Sequence, residues 1–140
     1  MRDLSANVKV SRAISPANGG SGDTPLVSQI IDTQGYDSMM FIIATGSLAD
    51  SDATFTVLVE DGDNSSLTDN AGVADAELIG TEAGASFTFG DDNECRKIGY
   101  IGAKRYVRLT ITPANNTGDQ YISAVAVQGH ANVAPIAQNS

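Results

Sequence analysis

The sequence predicts an all-β fold, an antiparallel two-sheet sandwich or jelly-roll-like double sheet with an extended N-terminal arm. Residues 106–111 alternate polar and apolar side chains, which is the period-two pattern of a half-buried strand. Roughly eight short segments of this kind are separated by turns rich in Gly, Asn and Asp. No segment shows a convincing amphipathic helix pattern. Regularly spaced short strands without helices are typical of sandwiches and jelly rolls.

The N-terminal segment permits two interpretations. Val8, Val10 and Ile14 lie on even-numbered positions, so residues 1–14 form either a first strand or an arm that becomes ordered only against a partner. Residues 15–25 contain three glycines and two prolines and are predicted to be a loop. We therefore divide the chain into an arm and linker (1–25), a β-sandwich body (26–130) and a C-terminal tail (131–140).

The first half of the body contains three predicted strands. Residues 26–32 begin it, and a continuous apolar run over 38–46 predicts a strand buried on both faces. Residues 54–62 alternate, with Phe55, Val57 and Val59 directed inward. We expect 38–46 and 54–62 to pair as antiparallel neighbours across the polar connection between them.

The second half of the body contains shorter strands around a dense turn signal. The segment 61–75 is predicted to be a loop or edge. The predicted strands are 76–80, 86–90 with Phe87 and Phe89 on one face, 104–112 and 120–130. Residues 113–119 (PANNTGD) favour a turn, so we expect the last two strands to form a hairpin.

Charge is unevenly distributed along a chain whose net charge is −9. Residues 1–94 carry 16 acidic and 3 basic side chains, whereas residues 95–140 carry 1 acidic and 5 basic. An acidic majority disfavours nucleic acid, because phosphates require a basic surface. The basic residues lie close together, which indicates either an ordinary solvated face or a patch that docks on an acidic neighbour, such as another copy. They are Arg96, Lys97, Lys104, Arg105 and Arg108.

The cysteine and hydropathy patterns exclude several classes of protein. Cys95 is the single cysteine, so the chain cannot be a disulfide-built secreted scaffold or hold a cysteine-rich zinc site. The N-terminus lacks the apolar core of a signal peptide. No apolar run approaches the roughly 20 residues of a membrane-spanning helix. We expect a soluble protein made in the cytoplasm, with no membrane partner.

Catalytic and cofactor motifs are lacking in the sequence. His130 is the single histidine and lies at the end of the last predicted strand, where a solvent-exposed or interface role is commoner than a catalytic one. There is no phosphate-binding loop, dinucleotide fingerprint or nucleophile elbow. We therefore predict no enzymatic activity, no catalytic residues and no cofactor.

The acidic segment at 61–75 begins like a calcium loop but does not continue as one. Asp61, Asp63 and Ser65 have the alternate spacing of an EF-hand loop, but its sixth and twelfth positions are Ser66 and Gly72 instead of glycine and an acid. The alternatives are a solvated acidic turn or a looser site made of aspartates. We predict no metal site.

A carbohydrate-binding module is a second functional hypothesis. Such modules present exposed aromatic residues, and this chain has four tyrosines and no tryptophan: Tyr36, Tyr100, Tyr106 and Tyr121. Tyr106 and Tyr121 lie on strands expected to pair, so a cross-strand contact would also explain them. The strand AKRYVRLTIT resembles a strand of discoidin-type jelly rolls.

Several segments together resemble one group of proteins. They are MRDLSANVKV, TFTVLVEDGDNSSLTD, AELIG, KIGYIGAKRYVRLTIT and AVAVQGHANVAP. The group consists of small proteins encoded beside the head genes of tailed bacteriophages and prophages. The resemblance covers residues 1–10 and most of 54–135, and YIGAKRYVR and QGHANVAP are its most specific parts.

The resemblance implies a virion structural protein, specifically a capsid decoration (cement) protein on the outer surface of the head, made in the host bacterial cytoplasm. It implies the major capsid protein as partner and a homo-oligomer, with a trimer as the expected form. The expected contacts with the capsid or a sister subunit are Leu4, Val8, Val10, Arg96, Lys97, Lys104, Arg105 and Arg108. A carbohydrate-binding or adhesive virion module and a tail or connector protein remain as alternatives.

Overall fold

The computed structural model describes residues 1–139 and consists almost entirely of β-strands, as predicted. The strands are β1 Val8–Asn18, β2 Leu26–Val27, β3 Ile31–Asp32, β4 Tyr36–Leu48, β5 Thr54–Gly62, β6 Ala71–Gly72, β7 Leu78–Ile79, β8 Phe87–Thr88, β9 Cys95–Tyr100, β10 Tyr106–Ala114 and β11 Gln120–Ala131. One helical turn, α1 Glu82–Ala85, and two 3-10 turns, Ser5–Asn7 and Asp75–Glu77, complete the elements. No helix among these residues is long and apolar enough to cross a membrane.

The strands form two antiparallel sheets packed as a sandwich, which confirms the predicted fold class. The first sheet has five strands in the order β1-β11-β4-β9-β7. The second has the order β2-β10-β5-β6, with β3 also paired to β10 and β8 to β5. The first and last strands of the chain are therefore neighbours, since Val8 lies opposite Gly129.

The core lies between the inner faces of the two sheets. Phe41 and Ile43 of β4 face it from the first sheet, and Val57 and Leu109 face it from the second; each is at most 1% exposed. Burying a side chain of this size stabilises the fold by about 1.5–3 kcal/mol. Aliphatic side chains and the stacked rings of Phe55 and Phe87, 5.0 Å apart between centroids, fill the interior.

The N-terminal segment is a strand of the first sheet. The structure continues this strand through Asn18, so residues 8–18 belong to the body and the predicted arm and linker over 1–25 are not a separate unit. Two register shifts, between Arg12 and Ile14 and between Ile14 and Ala17, accommodate Pro16. Proline is tolerated here because the strand is at the sheet edge, where an N–H is not needed on the open side.

Two predicted strand pairings are wrong for the same physical reason. β4 and β5 lie in different sheets, and so do β10 and β11. The turn signals at 49–53 and 115–119 are connections that cross the sandwich instead of hairpin turns within one sheet. Tyr106 consequently lies opposite Gly62 and Tyr121 lies opposite Asn18, so the expected cross-strand contact between the two tyrosines does not form.

The prediction that 38–46 is buried on both faces is also wrong. Met39, Phe41 and Ile43 are buried inward, whereas Met40 and Ile42 on the outer face stay partly exposed.

The two phenylalanines of 86–90 were expected on one face but differ in burial. Phe87 is buried, but β8 ends at Thr88 and the following turn leaves Phe89 44% exposed.

Candidate interaction surface

The outer face of the first sheet is largely apolar. Residues directly opposite in an antiparallel pair share a face, and the registers place five of them in one row across the whole sheet: Val10, Val127, Met40, Gly99 and Ile79. The next row is Arg12, Val125, Ile42 and Lys97. We call these two rows and the residues beside them the outer face. An exposed apolar surface of this continuity is typical of interaction sites.

The corresponding face of the second sheet is more polar, although Leu58 and Val27 are exposed on it. Thr54, Thr56 and Thr112 are exposed there, and Arg108 pairs with Glu60 across β10 and β5 at 3.1 Å. The two outer surfaces therefore differ in chemistry, and a partner that buries apolar area fits the first sheet better than the second.

A groove of about 670 Å³ crosses one end of the outer face. Its lining is Leu4, Asn7, Val8, Ser38, Met39, Met40, Ile79, Lys97, Gly99, Val127, Gly129, His130, Ala131 and Ala134. No acidic residue is among these lining residues of the described chain, although the chain carries a net charge of −9. The groove is thus an apolar depression with Lys97 at its border.

Two glycines open the groove. A Cβ at Gly99 would lie 3.0 Å from the Cβ of Ile79, and a Cβ at Gly129 would lie 3.0 Å from Oγ of Ser38. Both glycines point their missing side chains to the outer face, because they lie opposite Met40 and Ser38 of β4. Any other residue would fill the floor of the groove with side-chain atoms.

Ser38 and His130 form a hydrogen-bonded pair in the groove wall. Oγ of Ser38 lies 2.8 Å from Nδ1 of His130, and both side chains are near solvent. A nucleophile requires a base that is itself oriented by a third group, and no carboxylate lines the groove among residues 1–139. We therefore interpret the hydrogen bond as a contact that holds the His130 imidazole in one orientation in the groove wall. Sequence reasoning assigned His130 an exposed or interface position but missed its partner Ser38.

Four of the eight predicted contact residues come together at the groove or beside it. Leu4, Val8 and Lys97 line it, and Val10 lies on the same face, 49% exposed. N-terminal and basic segments far apart in sequence are brought together because β1 pairs with β11, which pairs with β4 and through it reaches β9.

The other four predicted contact residues do not join this surface. Each is an arginine or lysine already paired with an acidic side chain of the chain itself. The pairs are Arg96 with Asp91 and Glu94 at 3.0 Å, Lys104 with Asp63 at 2.8 Å, Arg105 with Asp32 at 2.9 Å and Arg108 with Glu60 at 3.1 Å. The five basic residues thus do not form one continuous patch, and Lys97 is the one that faces the groove.

The electrostatic effects of these pairs follow from their hydrogen bonds. Two parallel bonds from Arg105 hold the pKa of the Asp32 carboxyl below its usual range, and the same contact raises the pKa of the Arg105 guanidinium. The hydrogen bond to Asp63 raises the pKa of the Lys104 ammonium. All of these groups are substantially solvent-exposed, so we assign no large stabilisation to them.

Three of the four aspartates of the 61–75 segment, Asp61, Asp63 and Asp69, are engaged by other groups of the chain itself. The Asp69 carboxylate accepts from the backbone N–H groups of Asp63 and Asn64, which lowers its pKa. Asp61 points into the interior and accepts from Tyr100. Among residues 1–139 no group of three or more His, Cys, Asp or Glu side chains is arranged to hold a metal ion.

Four of the five segments that carry the phage resemblance contribute residues to the groove, and residues 54–69 do not. Residues 1–10 supply Leu4, AELIG supplies Ile79, KIGYIG supplies Lys97 and Gly99, and AVAVQGHANVAP supplies the opposite wall from Val127 to Ala134. The first and last of these segments are more than a hundred positions apart in the sequence. Their convergence links the resemblance to one place on the molecule.

The outer face was missed from the sequence, although a signal for it exists. In SAVAV (123–127) small alanines alternate with valines, so the side chains on both faces of the strand are apolar. Ala124 and Ala126 are buried inward and Val125 and Val127 are partly exposed outward. A strand that lies inside a sheet and is apolar on both faces indicates either that another layer covers its outer face or that this face is exposed and apolar.

Comparisons with known proteins support the fold. No family model and no curated protein matches the sequence. Among solved structures, the PBSX exported protein XepA superposes with a TM-score of 0.51 at 13% identity, over 100% of this chain and 42% of that one. This chain therefore spans less than half of the XepA chain, and the likeness shows a shared fold.

Two further structures give lower scores. The xylan-binding module CBM15 has a TM-score of 0.44 at 12% identity, over 94% of this chain and 96% of that one. The infectious bursal disease virus VP2 subviral particle has a TM-score of 0.48 at 13% identity, over 88% of this chain and 32% of that one. Scores at this level carry no argument about function.

Proposed function

We propose that this protein is a structural protein of a tailed-bacteriophage virion, a capsid decoration protein that binds the outer surface of the head and stabilises it. The observation that supports the proposal is that four of the five phage-like segments meet on one apolar face of the molecule, the outer face, at whose end the groove lies. A decoration protein requires no chemistry. It requires a rigid body and a surface that gains free energy when a neighbour covers it.

The outer face has the properties of such a surface. Ile42 and Val125 lie opposite each other at its centre, partly exposed, with Arg12 and Lys97 at the ends of their row. Covering apolar area contributes about 25 cal/mol per Å², while the flanking cations favour an acidic partner and fix its orientation. We propose that the head shell covers this central part of the outer face.

The test is binding to heads that lack the protein. Purified chain is mixed with such heads and sedimented, and the heat resistance of the loaded heads is compared with that of bare ones. We expect saturable binding and a higher temperature of head disruption. Ile42→Glu should weaken binding at least tenfold, because it places a charge in a desolvated contact. Leu58→Glu, an exposed site on the second sheet, is the matched control.

Four outcomes would contradict the proposal. Failure to sediment with heads excludes decoration. Binding that Ile42→Glu and Leu58→Glu weaken equally excludes the outer face. A count of a few copies per virion instead of hundreds favours a tail or connector protein. Binding to a glycan array that Tyr106→Ala abolishes would favour the carbohydrate-binding alternative.

A further inference from the structure

We propose that the groove of one copy receives the turn between Phe89 and Glu94 of a second copy, so that the chain associates head to tail. This inference rests on the proposed function in that it names the partner for one end of the same outer face. Arg12, Val125 and Ile42, which do not line the groove, remain for the shell.

The turn over residues 89–94 is held by hydrogen bonds against the end of β4 that lies away from the groove. Oγ1 of Thr45 donates to the carbonyl of Asp91 at 2.6 Å, and the backbone N–H of Thr45 donates to Glu94 at 2.9 Å. The Leu48 N–H donates to the Asp92 carboxylate at 3.1 Å. The turn is therefore ordered before it binds, which reduces the entropic cost of association.

The chemistry of the turn complements the groove. Phe89 is 44% exposed, and the exposed acids Asp92 and Glu94 follow it. Because Asp91 is also acidic, the turn stays net negative after Arg96 is counted. The groove offers apolar walls with Lys97 at the border and no acidic lining residue in the described chain. An acidic turn with one projecting ring is thus attracted to this part of an otherwise acidic molecule.

The size of the groove suits such an insertion. Pockets of roughly 300–1,000 Å³ enclose a ligand of drug size, and the groove measures about 670 Å³. An aromatic ring buries roughly 150–250 Å², and aromatic anchors in fully covered pockets dominate the energy of interfaces. Phe89 is the large exposed phenylalanine available for this role within residues 1–139.

The positions of the two elements determine the kind of assembly. The groove lies by Ser38 and Met40, and the turn lies across Thr45–Leu48, about 25 Å away along β4 at 3.3 Å per residue. A surface at one end that binds a different surface at the other end is a heterologous contact. Such contacts form rings where the rotation closes and filaments where it does not.

The experiment uses the purified full chain without heads. Molar mass is measured by sedimentation equilibrium over a concentration series for the unaltered chain, Phe89→Ala, Ile79→Glu and the control Val27→Glu. Ile79 is 61% exposed in the groove wall and Val27 is 54% exposed on the second sheet, so both changes leave the core intact. We expect the unaltered chain and the control to associate, and each of the other two variants to weaken association at least tenfold.

Mixing the two defective variants gives the decisive result. Phe89→Ala retains an intact groove and Ile79→Glu retains an intact turn, so an equimolar mixture should form 1:1 dimers and nothing larger. Folding of each variant is checked by its unfolding transition.

Three results would overturn the inference: an unaltered chain that stays monomeric at about 100 μM, association that neither variant weakens, or a mixture that remains monomeric. A chain that stays monomeric but still binds heads through Ile42 would overturn this inference and leave the proposed function intact. Insertion of a shell segment into the groove would appear as head binding that Ile79→Glu abolishes and Phe89→Ala does not.

Discussion

Tyr100 donates a hydrogen bond of 2.7 Å from its phenol to the carboxylate of Asp61, and this contact joins the two sheets through the interior. Asp61 is 7% exposed and Tyr100 is 5% exposed. The backbone N–H of Lys104 donates to the same phenol oxygen at 3.1 Å. A buried carboxylate with a donor from the opposite sheet restricts how the sheets can slide, because a shift would leave it without that donor.

Replacing Tyr100 should therefore destabilise the sandwich. We expect Tyr100→Phe to lower the free energy of unfolding by about 1–3 kcal/mol, since the ring is kept while Asp61 loses its phenol donor. Urea unfolding measures the change. Tyr121→Phe at an exposed position, 43% accessible, is the control and should stay within about 0.5 kcal/mol. Equal effects would show that the buried contact contributes nothing specific.

The same contact predicts a loss of stability at alkaline pH. Burial, with the nearby Asp61 carboxylate, raises the pKa of Tyr100 well above its ordinary value of about 10. The folded state then holds a proton that the unfolded state has released. Stability from this group is therefore complete below about pH 10 and falls above it by up to about 1.4 kcal/mol per pH unit. Subtracting the Tyr100→Phe profile from that of the unaltered chain isolates this contribution, and parallel profiles would contradict the assignment.

Side chains of α1 and of the residue after it complete the hydrogen bonding of β5. The Glu82 carboxylate accepts from the Val59 N–H at 2.8 Å, and Oγ of Ser86 accepts from the Val57 N–H at 3.0 Å. We expect Glu82→Ala and Ser86→Ala each to cost about 1–3 kcal/mol by leaving a covered backbone donor unpaired. Glu82→Gln retains an acceptor and should cost less. Asp75→Ala serves as the control in the same urea series, and a cost for Glu82→Gln as large as for Glu82→Ala would contradict the explanation.

Truncating Phe87 should destabilise the fold strongly, whereas truncating Phe89 should hardly change its stability. Phe87 is 3% exposed and stacks on Phe55, so Phe87→Ala should cost about 3–5 kcal/mol. Phe89→Ala should leave the monomer within about 0.5 kcal/mol of the unaltered chain, because the ring is exposed. Thermal unfolding of both variants at low protein concentration makes the comparison. A large loss for Phe89→Ala would mean that its ring stabilises the monomer.

The period of the hydrophobic pattern predicted the fold class and most strands, because alternation directly reports which face is buried. It did not predict the partners of those strands. The turn signals at 49–53 and 115–119 mark a change of direction but not whether the chain stays in one sheet, so both expected neighbours were wrong. Pro16 likewise suggested a loop, whereas an edge strand with register shifts accommodates it.

The interaction surface was predictable only in part. Leu4, Val8, Val10 and Lys97 were expected at a contact and lie together on the outer face. Arg96, Lys104, Arg105 and Arg108 were expected with them but are paired with acids that lie 2 to 73 positions away in sequence. Charge composition counts the lysines and arginines of a segment, but it cannot show which of them the fold has already neutralised.

The position of β11 has a consequence for synthesis. β11 lies between β1 and β4, so β1 cannot join the first sheet until residues 120–131 have left the ribosome. Pairings of such long sequence separation are intrinsically slow to form, and the nascent chain has to keep β1 and β4 from aggregating in the meantime. A product that ends before residue 120 would lack the strand that joins β1 to β4 in the sheet that carries the outer face, so we expect it not to dock.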